Sequence, residues 1–377
     1  MLRGEEEAEP EAAPGEDALY KHFLLQGVIV PKILTFDEAS KCLSNLGKDE
    51  SGVRYAYLML SATDMKLTDI SKITCFKHVL FVDVSGNFLE LDALQILCEM
   101  PFLILLRAER NKVASGGLNP CPYLQVLVLN KNQINETDDI SQPYLETLDL
   151  SNNVIYEARF QSDNLRELKQ LEMVGNQLVE LAGSFPESLE KLYLAQNRIH
   201  KIVTSDLSKL VNLKILHLRE NKLHKLDGFT EDLKNLTYLN LRRNSVRQLR
   251  QLRKLRCLPK LETLILIDNP VMSRKKEGMG EEEEEEEEEM EGEEEKKDYV
   301  RISILVMLPN LKRINKEVVS LEERDEAFFI GEEKMQEIMD EESSDEESII
   351  VTTTEITTEY TTETETEIGL EQLEYGG

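Results

Sequence analysis

The sequence predicts an α/β solenoid, a curved parallel sheet with short convex helices or 3-10 turns. Three observations predict it. The stretch Tyr144–Ile155, YLETLDLSNNVI, places Leu145, Leu148, Leu150, Asn153 and Ile155 at the offsets L-x-x-L-x-L-x-x-N-x-L. The asparagine position of that pattern returns as Met65, Asn87, Asn111, Asn132, Asn153, Asn176, Asn197, Asn221, Asn244 and Asn269, at separations of 22, 24, 21, 21, 23, 21, 24, 23 and 25 residues. Nine asparagines in ten repeats exclude coincidence. Third, the net charge of −29 is partitioned: residues 1–18 carry −6, 277–298 carry −13 and 322–377 carry −18, which leaves +8 on the rest of the chain. A mildly basic body wears acidic appendages.

Taken in order, residues 1–18 are expected to be a disordered acidic N-terminus and 19–54 a helical cap. Leu34 to Gly47 reads as a helix, with Thr35 and Glu38 as a capping box and Gly47 as its stop. Phe36, Ala39, Cys42, Leu43 and Leu46 would share the face that covers the first repeat. Residues 55–271 hold the ten repeats, degenerate only at Met65, with leucines pointing inward. The asparagines are read as structural, their side chains satisfying backbone groups in the bend after each strand. Segments such as SDLSKLVN and TEDLKN suit short 3-10 or helical turns opposite the strands. Residues 272–298 form an insertion whose nine consecutive glutamates, Glu281–Glu289, can be neither buried nor paired internally. It is expected to be a disordered loop, dispensable for folding. Residues 299–319, containing MLPNLKRIN, repeat L-x-x-L once more and read as a half-repeat cap. Ser320 and Glu323 open a helix over 320–340, with Phe328, Phe329, Met335, Ile338 and Met339 as apolar patches and Gly331 weakening its middle. Residues 341–377 are a low-complexity acidic Thr/Glu tail, in which Ser343 and Ser344 of DEESSDEES suit an acidophilic kinase.

No catalytic constellation is present. His22, His78, His200, His217 and His224 accompany no hydrolase motif, and no phosphate-binding loop or dinucleotide glycine pattern occurs. The five cysteines contain no C-x-x-C pair, and Cys75, Cys98 and Cys121 keep step with the repeat at 23-residue intervals, as buried thiols on successive turns would. A reducing compartment is expected. The first twenty residues lack both a basic region and an apolar run, and no stretch holds 18 consecutive apolar residues, so neither export nor a membrane span is expected. The chain reads as a binding protein without metal, cofactor or small-molecule substrate.

In such a solenoid the exposed strand positions form a concave binding face. The later repeats place Lys191, Tyr193, Ile215, His217, Arg219, Tyr238, Arg242 and Arg243 there. Aromatics interleaved with arginine are what interface cores enrich. Arg247, Arg250, Arg253, Lys254 and Arg256 extend the basic zone toward the convex side. A nucleic-acid surface is not expected, because the glutamate run only about twenty residues away would repel phosphates.

With these residues in view, the chain resembles the intracellular leucine-rich-repeat proteins of the 22-residue class. Within them it is similar to a family of radial spoke components of motile cilia and sperm flagella. The likeness spans roughly residues 35–328 and rests on the words AYLMLSATDMKLTDI, SQPYLETLDLSNN, LEKLYLAQN, LRKLRCLPKLETLILIDNP and MLPNLKRINKE. It implies a leucine-rich-repeat solenoid in the third radial spoke, non-enzymatic, in the cytoplasmic cytoskeleton of the cilium or flagellum. Its implied partners are other spoke and axonemal proteins and acidic surfaces of doublet microtubules, with no membrane. Glu281–Glu289 and the Thr/Glu tail depart from the family, so no role carries over to them. Two other readings stand beside this one: a nuclear acidic leucine-rich-repeat histone-binding protein, and a phosphatase-regulatory scaffold.

Overall fold

The computed structural model describes residues 30–49, 51–273 and 299–340. The acidic N-terminus, the Glu281–Glu289 run and the tail with Ser343 and Ser344 lie outside the described residues. Two units build the leucine-rich-repeat solenoid, Met1–Asn176 with Ser184–Pro186, and Gln177–Gly183 with Glu187–Gly377.

In the first unit, α1 (Phe36–Lys41) precedes β1 (Leu43–Lys48), β2 (Tyr55–Ser61), β3 (Phe81–Asp83), β4 (Leu105–Arg107), β5 (Val126–Val128), β6 (Thr147–Asp149) and β7 (Gln170–Glu172). From β2 to β7 the strands pair in parallel in sequence order. Their register aligns Leu60, Val82, Leu106, Leu127, Leu148 and Leu171, all with no solvent exposure. This follows from the repeat: in an extended x-L-x segment the central side chain faces the core and its neighbours face out.

The second unit repeats the scheme with β8 (Lys191–Tyr193), β9 (Ile215–His217), β10 (Tyr238–Asn240) and β11 (Thr263–Ile265), all parallel. Leu192, Leu216, Leu239 and Leu264 make its inner row. β12 (Arg313–Ile314) continues that row with Ile314, and β13 (Glu317–Val318) turns back antiparallel to close the edge. Opposite the strands the chain forms short arcs, among them a helical turn at Thr204–Leu207 and a nine-residue 3-10 helix at Leu249–Cys257.

All nine repeat asparagines are buried. In Asn153, Oδ1 accepts the Ile134 N–H at 3.0 Å while Nδ2 donates to Leu150 O at 2.9 Å and Leu129 O at 3.1 Å. Asn197 and Asn221 make the same kind of bonds, to Leu178 N and Leu194 O, and to Ile199 N, Leu194 O and Leu218 O. Each amide therefore joins its own bend to that of the preceding repeat, where no strand ladder reaches.

Two local expectations are corrected. The helix expected over Leu34–Gly47 is only Phe36–Lys41, with the Thr35/Glu38 capping box in place. From Leu43 the chain is a strand, pairing antiparallel with β2 from Leu43↔Leu60 to Lys48↔Tyr55. The ladder offered by β2 outweighs two more turns of helix, and the hairpin covers an edge that would otherwise expose unpaired backbone. Of the expected apolar face only Ala39 is buried; Phe36 is half exposed and stacks on Phe76, and Leu46 faces solvent. The helix expected over 320–340 is two, α2 (Leu321–Phe329) with its Ser320/Glu323 capping box and α3 (Gly331–Asp340). The break falls at Ile330, immediately before Gly331, a weak helix former that opens α3.

Candidate functional site

The exposed sheet face of the second unit follows from the strand register. Lys191 and Tyr193 on β8, Ile215 and His217 on β9, and Tyr238 on β10 flank the buried leucines and project outward, each half-buried by its neighbours. Strands lie about 4.8 Å apart, so side chains some 23 residues apart in sequence become ring neighbours. The Tyr193 and His217 centroids are 4.8 Å apart at 31°, and those of His217 and Tyr238 are 4.9 Å apart at 25°. The first pair is tilted and the second stacked, and such ring pairs contribute beyond their buried area. Burial pushes the His217 imidazole below its ordinary range, which favours its neutral form. Among the described residues no group of three or more His, Cys, Asp and Glu is placed to hold a metal.

A second row borders the ladder. The residue before every repeat asparagine, and before Met65, has positive φ: Asp64, Gly86, Arg110, Lys131, Asn152, Gly175, Gln196, Glu220, Arg243 and Asp268, between 52° and 71°. This left-handed residue turns the chain out of the strand, and its side chain stands on the rim of the sheet. Gly86 shows how crowded that rim is, since a Cβ there would lie 2.0 Å from Asp64 Oδ1, which Arg110 reaches from the repeat beyond at 3.1 Å.

In the second unit the rim becomes a chain of polar contacts. Gln196 Nε2 donates to Glu220 Oε2 at 2.7 Å, and Arg219 Nη2 and Arg243 Nη1 donate to Glu220 Oε1 at 2.5 and 2.9 Å. Arg243 Nε and Arg242 Nε both donate to Asp268 Oδ2, at 3.2 and 3.0 Å. Arg219, then Gln196 and Arg243, hold the Glu220 carboxyl down to about 2. Its lowered value means that Glu220 supports the rim throughout the range where ordinary carboxylates protonate, and loses that role only as pH falls through about 2. A carbon-detected NMR titration is expected to give that midpoint; one near 4.5 would show Glu220 without its arginines.

The family model described as leucine rich repeat matches residues 187–246 and 212–271, which include the ladder and the rim. Leucine-rich repeat-containing protein 23 of Bos taurus is 38% identical over 295 residues, covering 78% of this chain and 78% of that protein. The chain belongs to the leucine-rich repeat-containing protein 23 family. The Homo sapiens member is 36% identical over 313 residues, covering 82% of this chain and 83% of its own. Among solved structures, an internalin of Listeria monocytogenes matches with a TM-score of 0.40 at 18% identity, over 70% of this chain and 84% of that one.

In this member of the leucine-rich repeat-containing protein 23 family, the seven residues singled out from the sequence fall into two groups. Lys191, Tyr193, His217 and Tyr238 share the exposed strand face, whereas Arg219, Arg242 and Arg243 stand in or beside the bends. The structure adds Glu220 and Asp268, which accept from the arginines, and Gln196, which donates to Glu220, none of them singled out from the sequence. The signal that could have found them is the glycine at positions 86 and 175 and the asparagine at 152, residue types that tolerate the left-handed bend.

Proposed function

We propose that the protein is a non-enzymatic structural component of the third radial spoke of the ciliary or flagellar axoneme, needed for spoke assembly and motility. In this reading the face formed by Lys191, Tyr193, His217, Arg219, Tyr238, Arg242 and Arg243 docks another spoke or doublet component. Family membership supports the setting. The observation that carries the docking surface is the Tyr193–His217–Tyr238 ladder, an aromatic surface aligned across three repeats beside an arginine-bearing rim. Three arginines share two carboxylates there, so the rim retains one positive charge to attract an acidic partner. The aromatic ladder supplies short-range contact energy.

The test is localisation in ciliated cells. Tagged wild-type protein is expected to remain with the axoneme after detergent extraction. Arg219→Glu combined with Arg242→Glu is expected to abolish that retention while the circular dichroism of the purified variant stays that of the wild type. Normal spoke assembly by a folded double variant would move the docking surface elsewhere, and wild-type protein absent from the axoneme would remove the spoke assignment itself.

A further inference from the structure

The 3-10 helix Leu249–Cys257 has a sequence, LRQLRKLRC, of period three. A 3-10 helix has three residues per turn, so positions i and i+3 eclipse and two of its three edges each carry one residue type, leucine on one and arginine on the next. The leucine edge, Leu249, Leu252 and Leu255, is buried in the repeat. The arginine edge, Arg250, Arg253 and Arg256, is a comb whose teeth are about 6 Å apart, given a rise of about 2.0 Å per residue. Arg250 is half-buried and reaches Gln248 Oε1 at 3.4 Å; Arg253 and Arg256 are exposed, as is Arg247 just before the helix. Runs of this type rarely exceed four residues, which makes nine in one arc, with an arginine at every position of one edge, a feature that the repeat alone does not require.

A ligand for such a comb carries anions at the same interval. In an extended peptide alternate side chains share one face, about 6.6 Å apart. The chain contains this pattern in residues 362–367, TETETE, where Glu363, Glu365 and Glu367 alternate with threonines. Residues 341–377 hold twelve acids and no lysine or arginine. We propose that the arginine comb Arg250, Arg253 and Arg256 is the docking site for this chain's own segment 362–367, bound extended with Glu363, Glu365 and Glu367 facing the arginines.

Position favours this occupant. Arg256 stands on the wall of a groove of about 550 Å³ that Leu305, Pro309, Phe328 and Met335 also line. Met335 belongs to α3, which lies against the 3-10 helix and ends at Asp340. From Asp340 to Glu363 is 23 residues, enough to span up to about 75 Å, so the segment reaches the comb without leaving its own molecule. The tether gives it an effective concentration in the millimolar range, an advantage that no free peptide shares. The geometry of alternate charges selects 362–367 over DEESSDEES, in which no three alternate positions are all acidic.

The experiment is amide NMR on the full-length, isotope-labelled chain at low salt, with an isolated peptide of residues 355–371 as reference. The signals of 362–367 are expected to be displaced from those of the peptide, independently of protein concentration, and to return to them in high salt. They are also expected to return in Arg253→Gln/Arg256→Gln, and when 362–367 is rewritten as TTTEEE, which keeps composition and charge. Signals that coincide with the peptide in the wild type would overturn the proposal. So would a displacement that survives the arginine variant or the rewritten segment, or one that grows with protein concentration, which would put the segment on a second copy.

Discussion

Replacing Arg301 with Ala is expected to release the C-terminal cap from the solenoid. Arg301 lies in the helical segment 299–307 with its side chain 8% exposed, and spends its guanidinium on three pieces of chain. Nη1 donates to Ile314 O at 3.2 Å and Glu317 Oε2 at 3.1 Å, Nη2 donates to Val318 O at 3.1 Å, and Nε is bonded to Glu323 Oε1. Glu323 in turn completes the capping box of α2 with Ser320. Burial pushes the Glu323 carboxyl up, but the bonds from Arg301 and the Ser320 N–H outweigh it and the net displacement is downward. Removing one partner of such a pair leaves the other charge uncompensated, at a cost of about 3 kcal/mol. Hydrogen exchange should report the loss at the Val319 N–H, which bonds Lys312 O in the wild type, well before the inner repeats respond. Unchanged protection at Val319 would mean that the cap is held by packing alone.

Asn153→Ala is expected to destabilise the repeats by about 1 to 3 kcal/mol, with the loss traceable to a single atom. Leu129 O and Leu150 O each accept from two asparagines, Asn132 and Asn153 for the first, Asn153 and Asn176 for the second. Both carbonyls therefore keep a partner when Asn153 is truncated. The Ile134 N–H has no substitute acceptor among the described residues and is left buried without a bond. Asn197→Ala should behave alike, orphaning the Leu178 N–H. Adding Asn176→Ala to Asn153→Ala strips Leu150 O of both donors, so the double variant should lose more than the sum of the singles by on the order of 1 kcal/mol. Urea melting measures all of these, and unmoved midpoints for Asn153→Ala and Asn197→Ala would remove the asparagine ladder from the account of stability.

The repeats were legible because leucine and asparagine recur at fixed offsets, and each offset has one local structural use. β1 was not. In LSNLGK the leucines Leu43 and Leu46 are three apart, which reads as helix. What makes the segment a strand is Tyr55–Ser61, a partner that a local pattern does not announce. The aromatic ladder could be read from alternation alone, since Tyr193 and His217 hold equivalent strand positions and Tyr238 the adjacent row. The pairing of the arginines could not, because it depends on where a left-handed residue aims its side chain. Glu220 and Asp268 sit beside Arg219 and Arg243 through that geometry and not through spacing on the strand.

From the first residue of each three-residue strand to its asparagine is always six positions: 81 to 87, 105 to 111, 126 to 132, 147 to 153, 170 to 176, 191 to 197, 215 to 221, 238 to 244 and 263 to 269. The full period meanwhile drifts between 21 and 25 residues. All length variation is thus confined to the arcs opposite the strands. For a gene under random insertion and deletion the protein has two kinds of ground. A codon gained or lost within the six-residue span breaks a joint shared by two repeats, whereas the arcs accept new sequence in any amount, and it is there that lineages can add segments without rebuilding the scaffold.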